Sequence, residues 1–168
     1  MAPNMLTNPT LNRLDVLYTW IIKLGGSLQS LLLFYMRLVW GHQFFIIGLA
    51  KWKDINKVIE AFNAINIPGP GFHAYLVTGL ETICGFLILI GLASRLAAIP
   101  LAIIMFTALA TAHAPNLSNF QFLSQPLLLV KEAPYPFLLM SLMVLAFGPG
   151  RISVDAWIKR WVENQPRY

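Results

Sequence analysis

Four apolar stretches constrain this chain more than any other feature. They lie at residues 27–50, 73–92, 96–112 and 134–147. The first carries one charge, Arg37, and the second carries one, Glu81; the last two carry none. A helix needs about 20 mainly apolar residues to cross a bilayer, within a range of roughly 17–25. The first three stretches meet that length. The fourth must borrow residues from 127–130 or sit where the bilayer is thin. Hydrophobic residues make up 57% of the chain and charged residues only 11%, against about 25% charged in soluble domains. A chain of 168 residues has too small a soluble core to hide that much apolar surface, so lipid is the simpler solvent. The expected fold class is all-α: a transmembrane four-helix bundle with interfacial amphipathic helices.

The polar residues set the orientation and the flanking elements. Four spans put the N-terminus, the middle connection and the C-terminus on one side. That side holds Arg13, Lys23, Arg95, Arg151, Lys159, Arg160 and Arg167, against Lys51, Lys53, Lys57 and Lys131 on the other. Lys and Arg are retained on the cytoplasmic side, so both termini are expected inside. Clustering of the basic residues beside apolar runs favours this reading of the net charge of +5 over nucleic-acid binding. Residues 1–26 form an amphipathic N-terminal segment, with Leu14, Leu17, Tyr18, Ile21 and Leu24 on one stripe. These first residues include Asp15 and lack a continuous apolar core, so no cleavable signal is expected. The membrane domain covers 27–150. Residues 151–168 form a second amphipathic segment, with Ser153 as its cap, Asp155 in its first turn and a stripe of Val154, Trp157, Ile158, Trp161 and Val162.

The connectors are structured too. Residues 54–66 place Ile55, Val58, Ile59, Phe62 and Ile65 on one helical face, opposite Lys57, Glu60 and Asn63, which suits a helix lying in the outer interface. Pro68-Gly69-Pro70-Gly71 and Gly148-Pro149-Gly150 are turn signals. Residues 115–134 are too long for a tight turn and are expected to form a re-entrant or interfacial lid on the outer side.

Charge in hydrocarbon needs an explanation, because Arg or Asp at a helix centre costs about 2.5–3.5 kcal/mol on insertion scales. Arg37 and Glu81 are expected to meet at similar depth on antiparallel spans, linked by charge-assisted hydrogen bonds. Gly41 and Gly85, each four residues beyond its charge, allow close backbone approach, and Thr78 and Thr82 are placed to complete the bonding of Glu81. Two roles are open: a staple between helices, or a polar pocket for a headgroup, a quinone or a proton. His42 and His113 are candidate proton donors, since an unperturbed imidazole titrates near pH 6.5; Thr107 and Thr111 line one face of the third span. Lys51 is either an interfacial anchor, with Trp52 and Lys53, or an inward cation for an anionic group. The single Cys84 precludes an internal disulfide. The histidines and cysteine are not closely spaced, so no metal is expected. The absence of CxxCH, GxGxxG and P-loop motifs gives no support to nucleotide chemistry.

Several segments together carry a family resemblance. They are Arg37-Leu38 with Gly48-Leu49-Ala50-Lys51; Pro68-Gly69-Pro70 leading to Glu81; Leu89-Ile90-Gly91-Leu92-Ala93-Ser94-Arg95-Leu96-Ala97-Ala98; and Gly148-Pro149-Gly150-Arg151-Ile152-Ser153-Val154-Asp155. In this order and spacing they resemble the DoxX family over about residues 32–158. The resemblance implies a bacterial inner-membrane protein with four spans, and it marks Arg37, Lys51, Glu81 and Arg95 as family positions. Some members resemble subunits of thiosulfate:quinone oxidoreductase. The function expected on this basis is a quinone-associated subunit of a membrane oxidoreductase. Arg37, Glu81 and Trp40 would bind the cofactor, His42 or His113 would exchange a proton, and Lys51 would orient a headgroup. A partner oxidoreductase protein, or a further copy of the chain, would complete the system. The alternative is a non-catalytic scaffold or lipid- and small-molecule-binding module that docks partners. A small transporter is a third option, disfavoured because the two pairs of spans lack clear similarity.

Overall fold

A computed structural model describes residues 9–111 and 126–165, and every described element is helical. Helix α1 (Pro9–Met36) runs through a five-residue π-helical turn, Arg37–Gly41, into α2 (His42–Lys53). Next come α3 (Ile55–Ala64), α4 (Pro70–Ile90), α5 (Ser94–Ala110), α6 (Pro126–Lys131), α7 (Pro134–Phe147) and α8 (Val154–Glu163). Two of these runs are long and apolar enough to cross a membrane: Asp15–Lys53 and Pro70–Ile90. Ser94–Ala110 and Pro134–Phe147 are shorter apolar helices. Helix α2 packs along α4, α4 along α5, and α5 along α7.

Large apolar side chains lie on the outside as well as in the core. The core joins Phe44, Ile88, Ala98, Leu101, Met140 and Val144, pinned by edge-on stacking of Phe137 against Trp40 (5.0 Å) and Phe44 (4.7 Å). Arg37, Thr78, Glu81, Ser94 and Ser141 are also buried, whereas Leu96, Ile103, Phe106, Ile83 and Phe72 are exposed. Contiguous exposure of large apolar side chains on this scale marks a surface that another apolar phase covers.

Local chemistry explains the breaks between helices. Pro70 opens α4 at its first position, where a missing N–H costs nothing, after Gly69 in the left-handed region. Gly91 ends α4 with φ 76°. Ser153 caps α8 as expected, its hydroxyl accepting from the Ala156 amide at 3.1 Å. Half-buried Ile55, Val58, Ile59 and Phe62 turn one face of α3 toward the body, while Lys57, Glu60 and Asn63 are exposed.

One expectation changes, and one feature is new. The N-terminal stripe is not a separate element: helix α1 runs unbroken from Pro9 through residues 24–27 to Met36. The rod Asp15–Lys53 has 39 residues, about 58 Å at 1.5 Å per residue, nearly twice the hydrocarbon thickness of about 30 Å. The π turn at Arg37–Gly41 was also not foreseen. Such wide turns occur frequently at functional sites, and no residue of Arg-Leu-Val-Trp-Gly announces one. Of the expected outer lid at 115–134, residues 115–125 lie outside the described residues; 126–131 are helical.

Candidate functional site

The site grows from two facing heptad stripes. On one rod, Arg37, Gly41, Phe44, Gly48 and Lys51 follow each other at spacings of four and three; on α4, Ala74, Thr78, Glu81, Gly85 and Ile88 do the same. That spacing keeps each set on one helical face. The close fit rests on absent side chains. A Cβ on Gly48 would fall 2.4 Å from the Thr82 hydroxyl and 2.8 Å from its backbone nitrogen. A Cβ on Gly85 would fall 2.7 Å from the Phe45 nitrogen. The two backbones are therefore in contact, as small residues allow in membranes.

This packing decides which charges meet. Lys51 Nζ donates to Glu81 Oε2 at 2.5 Å. Glu81 is 2% exposed and Lys51 31%. The expected Arg37–Glu81 contact does not form. Arg37 precedes Lys51 by 14 residues along one rod, about 21 Å of helix axis, and comes level with the opposite end of α4. There its guanidinium, 1% exposed, donates to the carbonyls of Ile88 (3.5 Å) and Ile152. Thr78 and Thr82 do not bond Glu81 either. Thr82 donates to the Thr78 carbonyl at 2.8 Å, and the buried Thr78 hydroxyl has no partner.

The Lys51–Glu81 pair lies on the wall of a cavity of about 570 Å³ between α3, α4 and α5. Apolar side chains of Phe62, Leu76, Leu80 and Ile104 form most of that wall. His73, Thr107 and Thr111 also line it. The ring of His73 donates from Nδ1 to the Gly69 carbonyl at 3.1 Å, which leaves Nε2 for a ligand: an acceptor when the ring is neutral, a donor when it is protonated. The Thr111 hydroxyl is committed to the Thr107 carbonyl at 2.8 Å. Apolar walls with a few convergent polar groups are the usual make-up of a small-molecule site, and the volume is within the usual range of roughly 300–1,000 Å³.

Other candidate residues lie elsewhere. His42 is exposed and does not line this cavity. Trp40 packs on Phe137 in the core. His113 lies outside the described residues. Arg95 is exposed and donates to the Ala146 carbonyl at 3.3 Å. Sequence reasoning overlooked His73, although a signal existed: His73, Leu76, Val77, Leu80 and Glu81 fall at i, i+3, i+4, i+7 and i+8, one face of α4.

The opposite end of α4 is a polar junction that locks the closing motif onto the bundle. Asp155 accepts from the amides of Ala93 (2.8 Å) and Ser94 (3.2 Å), so its carboxylate caps α5 from a distant segment. Its own amide donates to the Gly91 carbonyl at 3.0 Å. Gly91 is favoured on two counts: φ is 76°, and a Cβ would fall 2.7 Å from Ser153 Cβ and crowd the Arg37 head. Arg37 is thus a staple between the first rod, α4 and the segment before α8, and Asp155 acts on its charge electrostatically.

These segments are the ones on which the family resemblance rests, and comparison with known proteins decides the matter. The DoxX family model matches residues 32–114, and an uncharacterized membrane protein of Mycobacterium tuberculosis is 32% identical over 125 residues, 71% of this chain and 77% of its own length. The chain belongs to the DoxX family. Bacillus subtilis has a relative named "Putative oxidoreductase CatD", 28% identical over 131 residues, 77% of this chain and 88% of that protein. An uncharacterized protein of Haemophilus influenzae is 28% identical over 139 residues, 80% of this chain and 87% of its own. No solved structure matches the chain. This DoxX chain is a membrane protein, which accounts for its apolar exterior.

Proposed function

We propose that this DoxX protein is a quinone-associated subunit of a bacterial inner-membrane oxidoreductase system, and that the quinone headgroup enters the cavity beside Lys51 and Glu81. In this reading α1–α2, α4, α5 and α7 are four spans of a bundle, with both termini cytoplasmic. The observation that carries the reading is a cation–carboxylate pair at 2.5 Å, its carboxylate buried and its ammonium about one-third exposed, in the wall of a mostly apolar cavity. Supporting it, a relative over most of the chain bears an oxidoreductase name.

The donor set fits such a guest. Quinone oxygens accept hydrogen bonds and offer no proton, so the site must supply donors. Lys51 Nζ has three N–H donors, of which the observed bond to Glu81 uses one. Protonated His73 donates from Nε2 while Nδ1 stays on Gly69. Glu81 holds the Lys51 ammonium in place and balances its charge, which keeps the cation inside an apolar wall at tolerable cost. A bound quinone would supply two-electron redox chemistry; the electrons come from a partner oxidoreductase protein. His73 replaces His42 as the proton-exchanging group in this proposal, because it lines the cavity and His42 does not.

Quinone extraction from protein purified in native-lipid particles tests the reading. It predicts quinone in near-stoichiometric amount with the wild type and a loss of about tenfold in Lys51→Met, the cost of one hydrogen bond to a charged group. Wild-type protein carrying no more quinone than an unrelated membrane protein would overturn it.

A second reading, a lipid- or small-molecule-binding module that docks partners, draws on α8. Its stripe of Trp157, Ile158, Trp161 and Val162 is exposed and suits an interfacial anchor.

A further inference from the structure

We infer that the opposite end of the molecule holds one anionic phospholipid, its phosphate among Arg95, Arg151 and Lys159 and its acyl chains along the groove beside α1. Two hollows meet there and share Gln29, Leu33 and Phe147. The first, about 530 Å³, lies between α1, the Gly148-Pro149-Gly150 turn and α8, and is lined by all three cations. The second, about 900 Å³, runs between α1 and α7 and is almost wholly apolar, with Leu28, Leu32, Leu38 and Met143 in its walls.

The charge of the polar hollow suits an anion. Its one carboxylate, Asp155, already spends both oxygens on the amides of Ala93 and Ser94, so it serves the N-terminus of α5. Three cations against one carboxylate leave a net charge of +2 among the lining residues. Arg95 uses one guanidinium nitrogen on Ala146 and keeps further N–H donors for a phosphate. Lys159 stands 3.8 Å from Glu163, a loose pair between exposed side chains. The floor is fixed: Gly150 has φ 78°, and a Cβ there would stand 3.5 Å from the Ser30 carbonyl and Leu33.

The dimensions point to a lipid rather than a soluble anion. Beyond Leu33, where the two hollows meet, the groove continues along α1 to Leu38 and along α7 to Met143, so an apolar chain attached to the bound anion has a wall of about 8 Å to follow. A basic pocket between helices next to an apolar groove matches the chemistry of anionic headgroup recognition at membranes. This site shares no lining residue with the cavity at Lys51 and Glu81, so the two inferences stand or fall separately.

Native mass spectrometry of the full chain tests it. The protein is stripped of lipid in detergent and offered equimolar dioleoylphosphatidylglycerol and dioleoylphosphatidylcholine. One phosphatidylglycerol is expected to be retained, preferred at least roughly tenfold. The double variant Arg151→Gln/Lys159→Gln removes two exposed charges and is expected to keep its melting temperature. Its phosphatidylglycerol binding should fall about thirtyfold, from the usual contribution of each basic residue at a charged membrane surface. Leu32→Trp should fill the groove and also lower retention. Equal retention of the two lipids, or an unchanged double variant, overturns the inference. So does competition by glycerol 3-phosphate as strong as that of the lipid, which would make this a soluble-anion site.

Discussion

Removing one partner of the Lys51–Glu81 pair should cost far more than removing both. Lys51→Met leaves the Glu81 carboxylate, 2% exposed, without its counter-ion in an apolar wall. Breaking a fully buried pair in this way costs about 3–5 kcal/mol. Lys51 is 31% exposed, so partial solvation trims the figure to about 2–3 kcal/mol. For a chain of this size each kcal/mol moves the melting temperature by about 2–4 °C, which predicts a drop of about 4–12 °C. Neutralising the carboxylate as well, in Lys51→Met/Glu81→Gln, should return stability to within about 1 kcal/mol of wild type, a coupling of about 2 kcal/mol between the two sites. The assay is thermal unfolding in lipid nanodiscs followed by tryptophan fluorescence. Arg37→Gln serves as the comparison. It should destabilise the protein by unseating its carbonyl bonds, yet combine additively with Glu81→Gln within about 0.5 kcal/mol, since the two residues do not touch. Strong coupling of Glu81 to Arg37, with none to Lys51, would refute the reasoning.

Three further perturbations probe other parts of the structure. Gly91→Ala should cost at least about 1–2 kcal/mol for the left-handed backbone, with a further cost from Ser153, whose Cβ stands 2.7 Å from the new one; a lowered melting temperature checks it. Ala93 has φ 47°, so Ala93→Gly should relieve about 1 kcal/mol and raise the melting temperature, while an unchanged or lower value would count against the strained turn. At the exposed junction of α2 and α3, the hydrogen bond from Lys57 holds the Asp54 carboxyl below the usual carboxylate range and the Lys57 ammonium above its own. Asp54 therefore adds stability above its ordinary pKa that disappears as pH falls through the lowered one, and Lys57 adds stability below its ordinary pKa that disappears as pH rises through the raised one. The small advantage of wild type over Asp54→Asn should be present at about pH 7, absent near pH 2 and reduced by salt.

Much of the architecture was legible because periodicity and punctuation are local. The Pro68-Gly69-Pro70-Gly71 signal precedes α4, the fourth stretch coincides with α7, and Ser153 caps α8 as its place in the sequence indicated. What was not legible depended on distance. Counting depth within each apolar stretch put Arg37 beside Glu81. The actual register is set by Gly48 and Gly85 touching the opposite backbone, which slides Lys51 level with Glu81 and Arg37 level with Ile88. The π turn at Arg37–Gly41 has no local marker in its residues. Asp155 looked like an ordinary first-turn acid of its own helix. Its carboxylate instead caps α5, a contact across 62 residues that no local pattern encodes. His73 was visible on the stripe leading to Glu81, but it sits in the first turn of α4, where a histidine reads as interfacial.

Photolabelling with an azido-quinone of protein in native-lipid particles, mapped by peptide mass spectrometry, tests whether quinone occupies the cavity beside Lys51 and Glu81. Adducts should concentrate on the cavity wall, at Leu76, Leu80 and Ile104, and be lost when excess unmodified quinone competes. Labelling spread evenly over the lipid-facing residues, or confined to the end of the molecule bearing Arg37, would contradict it.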